Sequence, residues 1–438
     1  MRVAMIGAGY VGLVSAACFS EFGFSVTCID AAPERIASLR SGRMPIHEPG
    51  LEALLSANVA AGRLSFSDDI AGAVAAADVV MLAVGTPGRR DDGHADLSFL
   101  FQAAREVAGA LEGYTVVATK STVPVGSGRE IARIIRERRP DAPFDVVSNP
   151  EFLRQGSAVG DFMRPDRVVV GVESERARSV MRALYRPLFP VETPVLFTSL
   201  ETAELTKYAA NCFLATKIAF INEIADLCER LGADVQDIAK GIGLDRRIGR
   251  YFLHAGPGFG GSCLPKDAAA FTRIAEGAGA PSAIVDAVLR ENTARKAAMV
   301  EKIVQACGGS VDGKTIAVLG VTFKPNTDDV RESPSLVILP GLVEQGAEVR
   351  AFDPAGMEEA RALLDGVAWC RDSYGAMAGA DALVILTEWN EFGALDLERV
   401  KSLLKTPLMV DLRNIYEPGE VAGAGIRYVS VGRPAAEP

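Results

Sequence analysis

Val3-Ala-Met-Ile-Gly-Ala-Gly-Tyr-Val-Gly12 opens the chain with four apolar residues that run directly into a G-x-G-x-x-G pattern. An amphipathic segment continues from it to about Phe22, and a second apolar run, Val26–Ile29, then ends in Asp30. Strand, glycine turn, helix, strand and acidic residue, in this order, predict a Rossmann-type βαβ unit that binds a dinucleotide.

Each glycine has a separate task in such a unit. Gly7 makes the tight turn, Gly9 lets the pyrophosphate of the cofactor approach the backbone, and Gly12 allows close packing of the helix. Asp30 would accept hydrogen bonds from the adenosine ribose hydroxyls and repel a 2′-phosphate, which favours NAD over NADP. Arg35, one helical turn beyond Asp30, either adds a ribose contact or is simply solvated.

The parallel sheet is expected to continue through three further apolar strands, at residues 78–84, 115–120 and 146–148. Each strand is followed by polar, turn-forming residues, which are Gly85-Thr86-Pro87, Ser121-Thr-Val-Pro124 and Asn149-Pro-Glu151. Ligands of open α/β sheets bind at the carboxyl ends of the strands. Thr122 and Glu151 are therefore candidate site residues, although each alone could serve only its turn.

The composition of the 438-residue chain limits the classes of function. A net charge of −10 argues against general nucleic-acid binding. Seven scattered cysteines without a C-x-x-C pair, and an N-terminus without signal-peptide organisation, predict a cytoplasmic protein. The chain has no run of about 18 uncharged apolar residues, so no membrane span is predicted. Its three histidines lack the spacing of metal ligands, which argues against a zinc site.

From about residue 201 the pattern changes to long helices. Residues 203–227 keep an apolar period of 3.6 without an internal glycine or proline. Glu204, Lys207 and Asn211 fall three and four residues apart, so they share one face and can point into one site. A solvated polar stripe is the alternative interpretation of this spacing. The segment is long enough to join two domains and to pair with its copy in a dimer.

A glycine-rich loop, Gly256-Pro-Gly-Phe-Gly-Gly-Ser262, leads into Cys263, with Lys266 and Asp267 close behind. Glycines let backbone lie against a ligand and do nothing for a core strand or helix. Because cysteine attacks as the thiolate, which a nearby cation stabilises, this setting favours a nucleophile. The alternative is that Cys263 is one more small buried hydrophobic residue.

After helices that extend to about residue 305, the strand-loop-helix-strand-acid order returns. Strands are expected at residues 314–320, 349–352 and 382–386, without a G-x-G-x-x-G pattern, so this second α/β region is not expected to bind a dinucleotide. Its first loop offers Phe323 to stack on a base, with Lys324 and Arg331 to hold phosphates. The fold class is therefore α/β, with two Rossmann-like domains, residues 1–200 and 309–438, joined by a helical domain, residues 201–308.

Six further motifs place the glycine pattern in a family context. These are Ile46-His-Glu-Pro-Gly50, Ser121-Thr-Val-Pro124, Asn149-Pro-Glu-Phe-Leu153, Lys207-Tyr-Ala-Ala-Asn211, Gly258-Phe-Gly-Gly-Ser-Cys-Leu-Pro-Lys-Asp267 and Phe323-Lys324. With them the chain resembles the UDP-glucose/GDP-mannose dehydrogenase family, from the first glycine loop to about Tyr416. The resemblance implies a four-electron oxidation of a nucleotide sugar at C6, from alcohol to carboxylate, with two NAD⁺ and no release of aldehyde.

The resemblance also implies roles for the candidate residues. Cys263 would form a thiohemiacetal and then a thioester, and Lys207 and Asn211 would polarise the oxyanion at each tetrahedral stage. Asp267, with Glu151 and Thr122, would activate the water that hydrolyses the thioester. Whether Lys207 itself or an activated water takes the first proton is left open.

The implied ligand contacts form two sets, and the resemblance adds a partner subunit. The cofactor set is Gly7, Gly9, Tyr10, Val11, Gly12, Asp30, Arg35, Thr86, Thr122, Lys266 and Arg331. The substrate set is Glu151, Phe152, Leu153, Lys207, Asn211, Arg247, Phe252, Gly260, Phe323, Lys324 and Arg413. Arg247 resembles an arginine that reaches into the active site of the partner subunit, which predicts at least a homodimer.

One residue departs from the family pattern. Gln155 stands where the family commonly has a glutamate, so a second carboxylate near the thioester is missing. A glutamine can bind a hydroxyl or a water but cannot act as a base. The hydrolytic role is therefore assigned to Asp267 and Glu151.

Three alternatives compete with UDP-glucose oxidation. GDP-mannose is the rival substrate within the family, although the stretch from Arg246 to Gly261 resembles the UDP-glucose branch. A two-electron hydroxyacid dehydrogenase would share the glycine pattern and a Lys-x-x-x-Asn helix, but it needs neither the cysteine loop nor the second α/β domain. A non-catalytic nucleotide sensor with Cys263 as a redox switch would not need the set of Lys207, Asn211 and Asp267.

Overall fold

The computed structural model describes residues 1–88 and 95–438. These residues form two compact units. The first comprises Met1–Ala210 with Arg273–Gly279, and the second comprises Asn211–Thr272 with Ala280–Pro438. Across the described ranges, no helix is both long and apolar enough to cross a membrane.

The first unit is built on a twisted, mostly parallel sheet. Its strands are β1 (Arg2–Ile6), β2 (Ser25–Ile29), β3 (Leu64–Ser67), β4 (Val79–Leu82), β5 (Thr115–Thr119), β6 (Phe144–Ser148), β7 (Val168–Gly171) and β8 (Val195–Thr198). Their spatial order is β3-β2-β1-β4-β5-β6-β7-β8, with β7 antiparallel to β6 and β8 parallel to β7, so that the last two strands run opposite to the other six. The order reverses beside β1, between β1 and β4, which is where a doubly wound sheet opens a crevice for ligands.

Helices between these strands cover the sheet. They are α1 (Tyr10–Glu21), α2 (Pro33–Arg40), α3 (Leu51–Ala60), α4 (Ile70–Ala75), α5 (Ser98–Ala110), α6 (Ser127–Arg138), α7 (Ala158–Met163) and α8 (Glu175–Leu184), with a 3₁₀ turn at Arg186–Val191. The strands are apolar on both faces because both faces are covered. In β1, Val3 and Met5 pack into one core cluster, while Ala4 and Ile6 pack into another.

Four helices follow, as the change of period near residue 201 predicts. They are α9 (Leu200–Leu231), α10 (Val235–Gly243), α11 (Leu264–Gly277) and α12 (Ala283–Ala306). α9 is 32 residues long and extends beyond the predicted helix at both ends.

The second unit contains a six-stranded parallel sheet, and the structure describes this unit throughout. Its strands are β9 (Thr315–Leu319), β10 (Glu348–Phe352), β11 (Val367–Trp369), β12 (Ala382–Ile385), β13 (Leu408–Asp411) and β14 (Arg427–Ser430), in the order β11-β10-β9-β12-β13-β14. Its helices are α13 (Ser335–Glu344), α14 (Met357–Arg361), α15 (Ser373–Met377), α16 (Leu397–Leu403) and α17 (Pro418–Gly423), with a 3₁₀ turn at Asn390–Ala394. The prediction of two Rossmann-like sheets is confirmed.

A pair of glycine variants tests how tightly the first turn packs. A Cβ on Gly12 would lie 1.9 Å from the carbonyl oxygen of Gly7, whereas a Cβ on Gly9 would have no atom within 4 Å. We expect Gly12→Ala to lower the free energy of unfolding by ~1–3 kcal/mol, the usual cost of overpacking. Gly9→Ala should leave it unchanged. Urea unfolding of both variants measures the difference, and equal stability would contradict the packing described.

Candidate active site

The first glycine loop has the shape that a pyrophosphate needs. Gly7 has φ +107°, a conformation that favours glycine, and a Cβ there would lie 2.5 Å from the carbonyl oxygen of Ala83. Gly9 precedes the first turn of α1 with open space where its side chain would be. Free amide groups at a helix N-terminus attract anions. The loop therefore fits a dinucleotide in the way its pattern predicts.

Asp30 stands at the carboxyl end of β2 beside this loop. Its Oδ2 accepts from the backbone N–H of Ala8 at 2.8 Å, and its Oδ1 accepts from that of Ala32 at 3.0 Å. For Arg35 the sequence allowed either a ribose contact or simple solvation. In the structure its Nη1 donates to Asp30 Oδ2 at 3.1 Å. The carboxylate is thus held in place and largely buried, with a side-chain exposure of 11%.

The side chain of Tyr10 also forms contacts in this region. Its hydroxyl forms a short hydrogen bond with Glu48, and burial, followed by Glu48, raises the pKa of Tyr10 well above its usual value. Glu48 also accepts from the backbone N–H groups of Gly156 at 2.6 Å and Ala158 at 2.7 Å. One buried carboxylate therefore ties the cofactor helix to the segment that follows Gln155. The sequence motif that contains Glu48 did not indicate this role for the residue.

Lys207 and Glu151 form a buried ion pair in the first unit. The two side chains are 4% and 6% exposed, with Lys207 Nζ 3.3 Å from Glu151 Oε1. The other carboxylate oxygen of Glu151 accepts from the backbone N–H of Leu153. The ring of Phe152 lies 5.4 Å from Lys207 Nζ, and the guanidinium of Arg167 stacks on the same ring at 3.7 Å. A cation and a carboxylate in contact can hold or exchange a proton with a bound hydroxyl.

A small cavity adjoins this pair. Its volume is about 10 Å³, roughly the space of one water molecule. Thr122, Glu204 and Lys207 are among its lining residues. The carboxylate of Glu204 accepts from the backbone N–H groups of Gly126 and Gly128, at the start of α6. Thr86, a predicted cofactor residue, donates from its hydroxyl to the carbonyl of Thr122 at 2.9 Å.

In the second unit, Cys263 immediately precedes α11, and its carbonyl accepts the first helical hydrogen bond from Asp267. The residue is exposed, and its sulfur lies 3.6 Å from the hydroxyl oxygen of Ser262. The positive end of a helix dipole favours negative charge on an adjacent sulfur.

The buried cysteines differ from Cys263 in their surroundings. Burial raises the pKa of the Cys18, Cys28 and Cys212 thiols to about 12. These thiols stay protonated at neutral pH and act as packing residues. Exposure and the helix terminus therefore single out Cys263 as the candidate nucleophile.

Asp267 is held from two sides, one turn into α11. Asn211 donates from Nδ2 to Asp267 Oδ2 at 2.7 Å, and Lys266 donates from Nζ to Asp267 Oδ1 at 2.6 Å. Asp267 is 1% exposed and Asn211 is 7% exposed. Two charge-stabilising donors orient the carboxylate as an acceptor.

The glycines before Cys263 pack on the loop after β9. A Cβ on Gly260 would lie 2.4 Å from the carbonyl oxygen of Glu332, and one on Gly261 would lie 2.7 Å from the ring of Phe323. The backbone N–H of Gly261 donates to the carbonyl of Arg331 at 2.8 Å. Gly260, a predicted substrate residue, therefore also serves backbone packing.

Other predicted ligand residues lie at this loop or nearby. Lys324 Nζ lies 5.4 Å from the ring centre of Phe323. Arg413 donates to the carbonyl of Phe323 at 2.9 Å, so it supports this loop. Arg331 pairs with Asp329, whose hydrogen bonds raise the pKa of the guanidinium.

Two further predicted substrate residues lie between α10 and the cysteine loop. Phe252 is half-buried and has a left-handed backbone, with φ 62°. Arg247 is exposed to 89% and pairs with Asp245 of its own chain.

The acid at the end of β10 explains why the second sheet differs from the first. Asp353 is fully buried, and its Oδ2 accepts from the backbone N–H groups of Val321 and Thr322 and from the hydroxyl of Thr322. Its Oδ1 accepts from the backbone N–H groups of Ala355 and Gly356. The protein itself therefore occupies both oxygens of this carboxylate, which leaves it little capacity to accept from ribose hydroxyls.

Models of the UDP-glucose/GDP-mannose dehydrogenase family match three parts of the chain. The NAD binding domain matches residues 1–189, the central domain residues 201–294 and the UDP binding domain residues 317–418. The chain belongs to the UDP-glucose/GDP-mannose dehydrogenase family. It is an NAD-dependent dehydrogenase, and the predictions of the family, the enzyme class and NAD as cofactor are confirmed.

Relatives match over nearly the whole length of the chain. A UDP-glucose 6-dehydrogenase of Rhizobium meliloti is 58% identical over 99% of this chain and 100% of its own length. A UDP-glucose 6-dehydrogenase of Bacillus subtilis is 48% identical over 99% of this chain and 94% of its own length. The solved UDP-glucose dehydrogenase of Pyrobaculum islandicum is 41% identical, with a TM-score of 0.89 over 98% of this chain and 96% of that chain.

Replacement of Asp30 tests the cofactor choice of this dehydrogenase. We expect Asp30→Ala to raise the KM for NAD⁺ about tenfold, since it removes a charged acceptor for the ribose hydroxyls. The preference for NAD⁺ over NADP⁺ should fall further, because the charge that repels a 2′-phosphate is also lost. The ratio of kcat/KM for the two cofactors measures both effects. Asp68→Ala, at a surface carboxylate paired with Arg40, is the control, and an unchanged ratio in Asp30→Ala would contradict the assignment.

Proposed function

We propose that this chain is a UDP-glucose 6-dehydrogenase that oxidises the C6 alcohol of UDP-glucose to UDP-glucuronate through a covalent intermediate on Cys263. The observation that carries the proposal is the exposed thiol at the start of α11, the helix on which Asp267 is hydrogen-bonded to Asn211. Full-length relatives with the name UDP-glucose 6-dehydrogenase support the same reaction. A two-electron alcohol oxidation would need no such thiol.

When bound, NAD⁺ would supply the hydride acceptor for each of the two oxidations, with a fresh NAD⁺ for the second. In the first, the C6 hydroxyl loses its proton as the hydride leaves, which gives an aldehyde. The Lys207–Glu151 pair supports this step, because its carboxylate can accept a proton directly or through a water molecule. The Lys207 ammonium also stabilises negative charge on the C6 oxygen.

The thiolate of Cys263 then attacks the aldehyde carbon and forms a C–S bond. Lys207 and Asn211, four residues apart on α9, are the proposed donors to the resulting oxyanion. This covalent bond keeps the aldehyde from leaving the enzyme. Loss of the second hydride from the thiohemiacetal leaves a thioester.

Hydrolysis of the thioester needs a water molecule and an acceptor for its proton. Asp267 is the proposed acceptor, since Asn211 and Lys266 donate to its two carboxylate oxygens and orient it. Glu151 and Thr122 are proposed to assist, while the amide of Gln155 contributes hydrogen bonds and no base. Water adds to the carbonyl, the C–S bond breaks, and Cys263 returns as the thiolate.

The nucleotide part of the substrate is proposed to bind at the loop after β9. Phe323, Lys324 and Arg413 lie together there, within the part matched by the UDP binding domain. The proposed sugar contacts are Glu151, Phe152, Leu153, Lys207, Asn211, Phe252 and Gly260. The proposed division of the chain is residues 1–200 for NAD, 201–308 for the catalytic helices and 309–438 for the UDP group.

The number of NADH molecules formed per UDP-glucose at completion tests the reaction. We expect two, because both oxidations occur before release. The Cys263→Ser variant should form at most one NADH per sugar and leave the enzyme with bound aldehyde. The Cys370→Ser variant, at a half-buried cysteine near β11, should still form two. One NADH in the wild type, unaffected by Cys263→Ser, would reject the thioester. Turnover of GDP-mannose without turnover of UDP-glucose would correct only the substrate.

We also propose that the active form is a homodimer built on α9. Phe213, Phe220 and Leu227 are spaced by seven residues on this helix and are 65%, 48% and 51% exposed. Residues seven apart lie on one helix face, and so large an apolar stripe is typical of a protein interface. Arg247 is proposed to reach the active site of the partner subunit, since its guanidinium is 89% exposed and is paired with the nearby Asp245.

Co-expression of two inactive variants tests the shared site. Arg247→Ala and Cys263→Ser should each lose most activity alone. Their mixed dimer rebuilds one complete site, so a random mixture should recover about a quarter of wild-type activity. No recovery, in a mixture whose mixed dimers are verified by two affinity tags, would mean that Arg247 acts within its own subunit.

A further inference from the structure

Helix α12 presents three polar side chains to the loop that leads to Cys263. Asn292, Arg295 and Lys296 are 7%, 2% and 6% exposed. Polar groups so deeply buried are retained only where they form specific hydrogen bonds. Arg295 donates from Nε to the carbonyl of Gly256 at 3.0 Å and forms an ion pair with Asp226.

Asn292 pairs with both backbone groups of Phe259. Its Oδ1 accepts from the N–H at 2.8 Å, and its Nδ2 donates to the carbonyl at 3.1 Å. The adjacent Gly258 has φ +110°, and a Cβ there would lie 2.9 Å from Asn292 Oδ1. The amide therefore fixes both backbone polar groups of one loop residue, four residues before Cys263.

Lys296, one turn further along α12, binds the segment after β9 on which the cysteine loop packs. Its Nζ donates to the carbonyl of Glu332 at 2.8 Å and lies 3.6 Å from the carboxylate of that residue. Glu332 has a left-handed backbone, with φ 53°, which is strained for a residue with a side chain. Its carbonyl is the atom against which Gly260 packs.

We propose that Asn292 and Lys296 are positioning residues that fix Cys263 relative to the loop after β9. Asn292 holds the cysteine loop, and Lys296 holds the backbone on which that loop rests. This inference depends on the proposed function, because it assumes that the sulfur must meet an aldehyde whose UDP group is bound at the loop after β9.

The inference predicts a defect in one half of the reaction. The first oxidation makes the aldehyde without the sulfur, whereas the second needs the thiohemiacetal. A displaced Cys263 captures the aldehyde more slowly, so part of it leaves the enzyme after one hydride transfer. A loss of general stability would lower both oxidations together.

Lys296→Met tests the inference because methionine fills a similar volume without the charge or the donor. Replacing a buried charged group by an apolar one is often tolerated in folding. We expect NADH per UDP-glucose to fall from two to between one and two, with aldehyde trapped by semicarbazide. We expect kcat to fall about tenfold, while NAD⁺ binding, measured by fluorescence, stays unchanged.

Lys302→Met is the matched control, since Lys302 lies on α12 but pairs with Glu229, away from both loops. It should keep two NADH per sugar and release no aldehyde. Asn292→Asp, which replaces the donor to the Phe259 carbonyl by an oxygen, should resemble Lys296→Met and carries the test if Lys296→Met does not fold.

Three outcomes would overturn the inference. These are a folded Lys296→Met enzyme with wild-type kcat and no free aldehyde, an equal defect in Lys302→Met, or a wild-type rate in Asn292→Asp. If the wild type itself yields one NADH, the proposed function fails instead. The rate of Cys263 alkylation by iodoacetamide then decides the positioning role, which an unchanged rate in both loop variants would reject.

Discussion

Backbone packed directly on backbone fixes both of the loops that the chemistry uses. In the first unit Gly12 lies against the carbonyl of Gly7, and in the second Gly260 lies against the carbonyl of Glu332. Neither contact leaves room for a methyl group, so any other residue would push the loops apart. The pyrophosphate turn and the cysteine loop thus owe their positions to the absence of side chains, which is why glycine patterns carry so much information in this chain.

Charged side chains in the candidate site are balanced within each unit. Lys207 is paired with Glu151, and Asp267 is held between Asn211 and Lys266. Burial makes an unpaired charge costly, so each pair stabilises the charges that it contains. Donated hydrogen bonds orient a carboxylate as an acceptor, and an ammonium next to a carboxylate can stabilise an oxyanion.

The sequence was most informative where a local pattern has one physical solution. The first glycine motif and Asp30 are such a case, as is the exposed Cys263 at a helix start. Contacts between distant segments could not be predicted, because no local pattern records them: Glu48 meets Gly156, and Asn292 meets Phe259. The edge strands β3 and β8 were also missed, since they are only partly buried and lack the continuous apolar run of the central strands.

The saturated carboxylate of Asp353 has a consequence for protein engineering. Giving the second sheet a glycine fingerprint would not be enough to make it accept a dinucleotide, because its acid would still be occupied by the amides of its own loop and by Thr322. A designer would first have to rebuild that loop, so that the backbone N–H groups that now donate to Asp353 find other acceptors. Two sheets of the same topology can therefore differ in how readily they accept a grafted cofactor, according to whether an internal partner already occupies the recognition group.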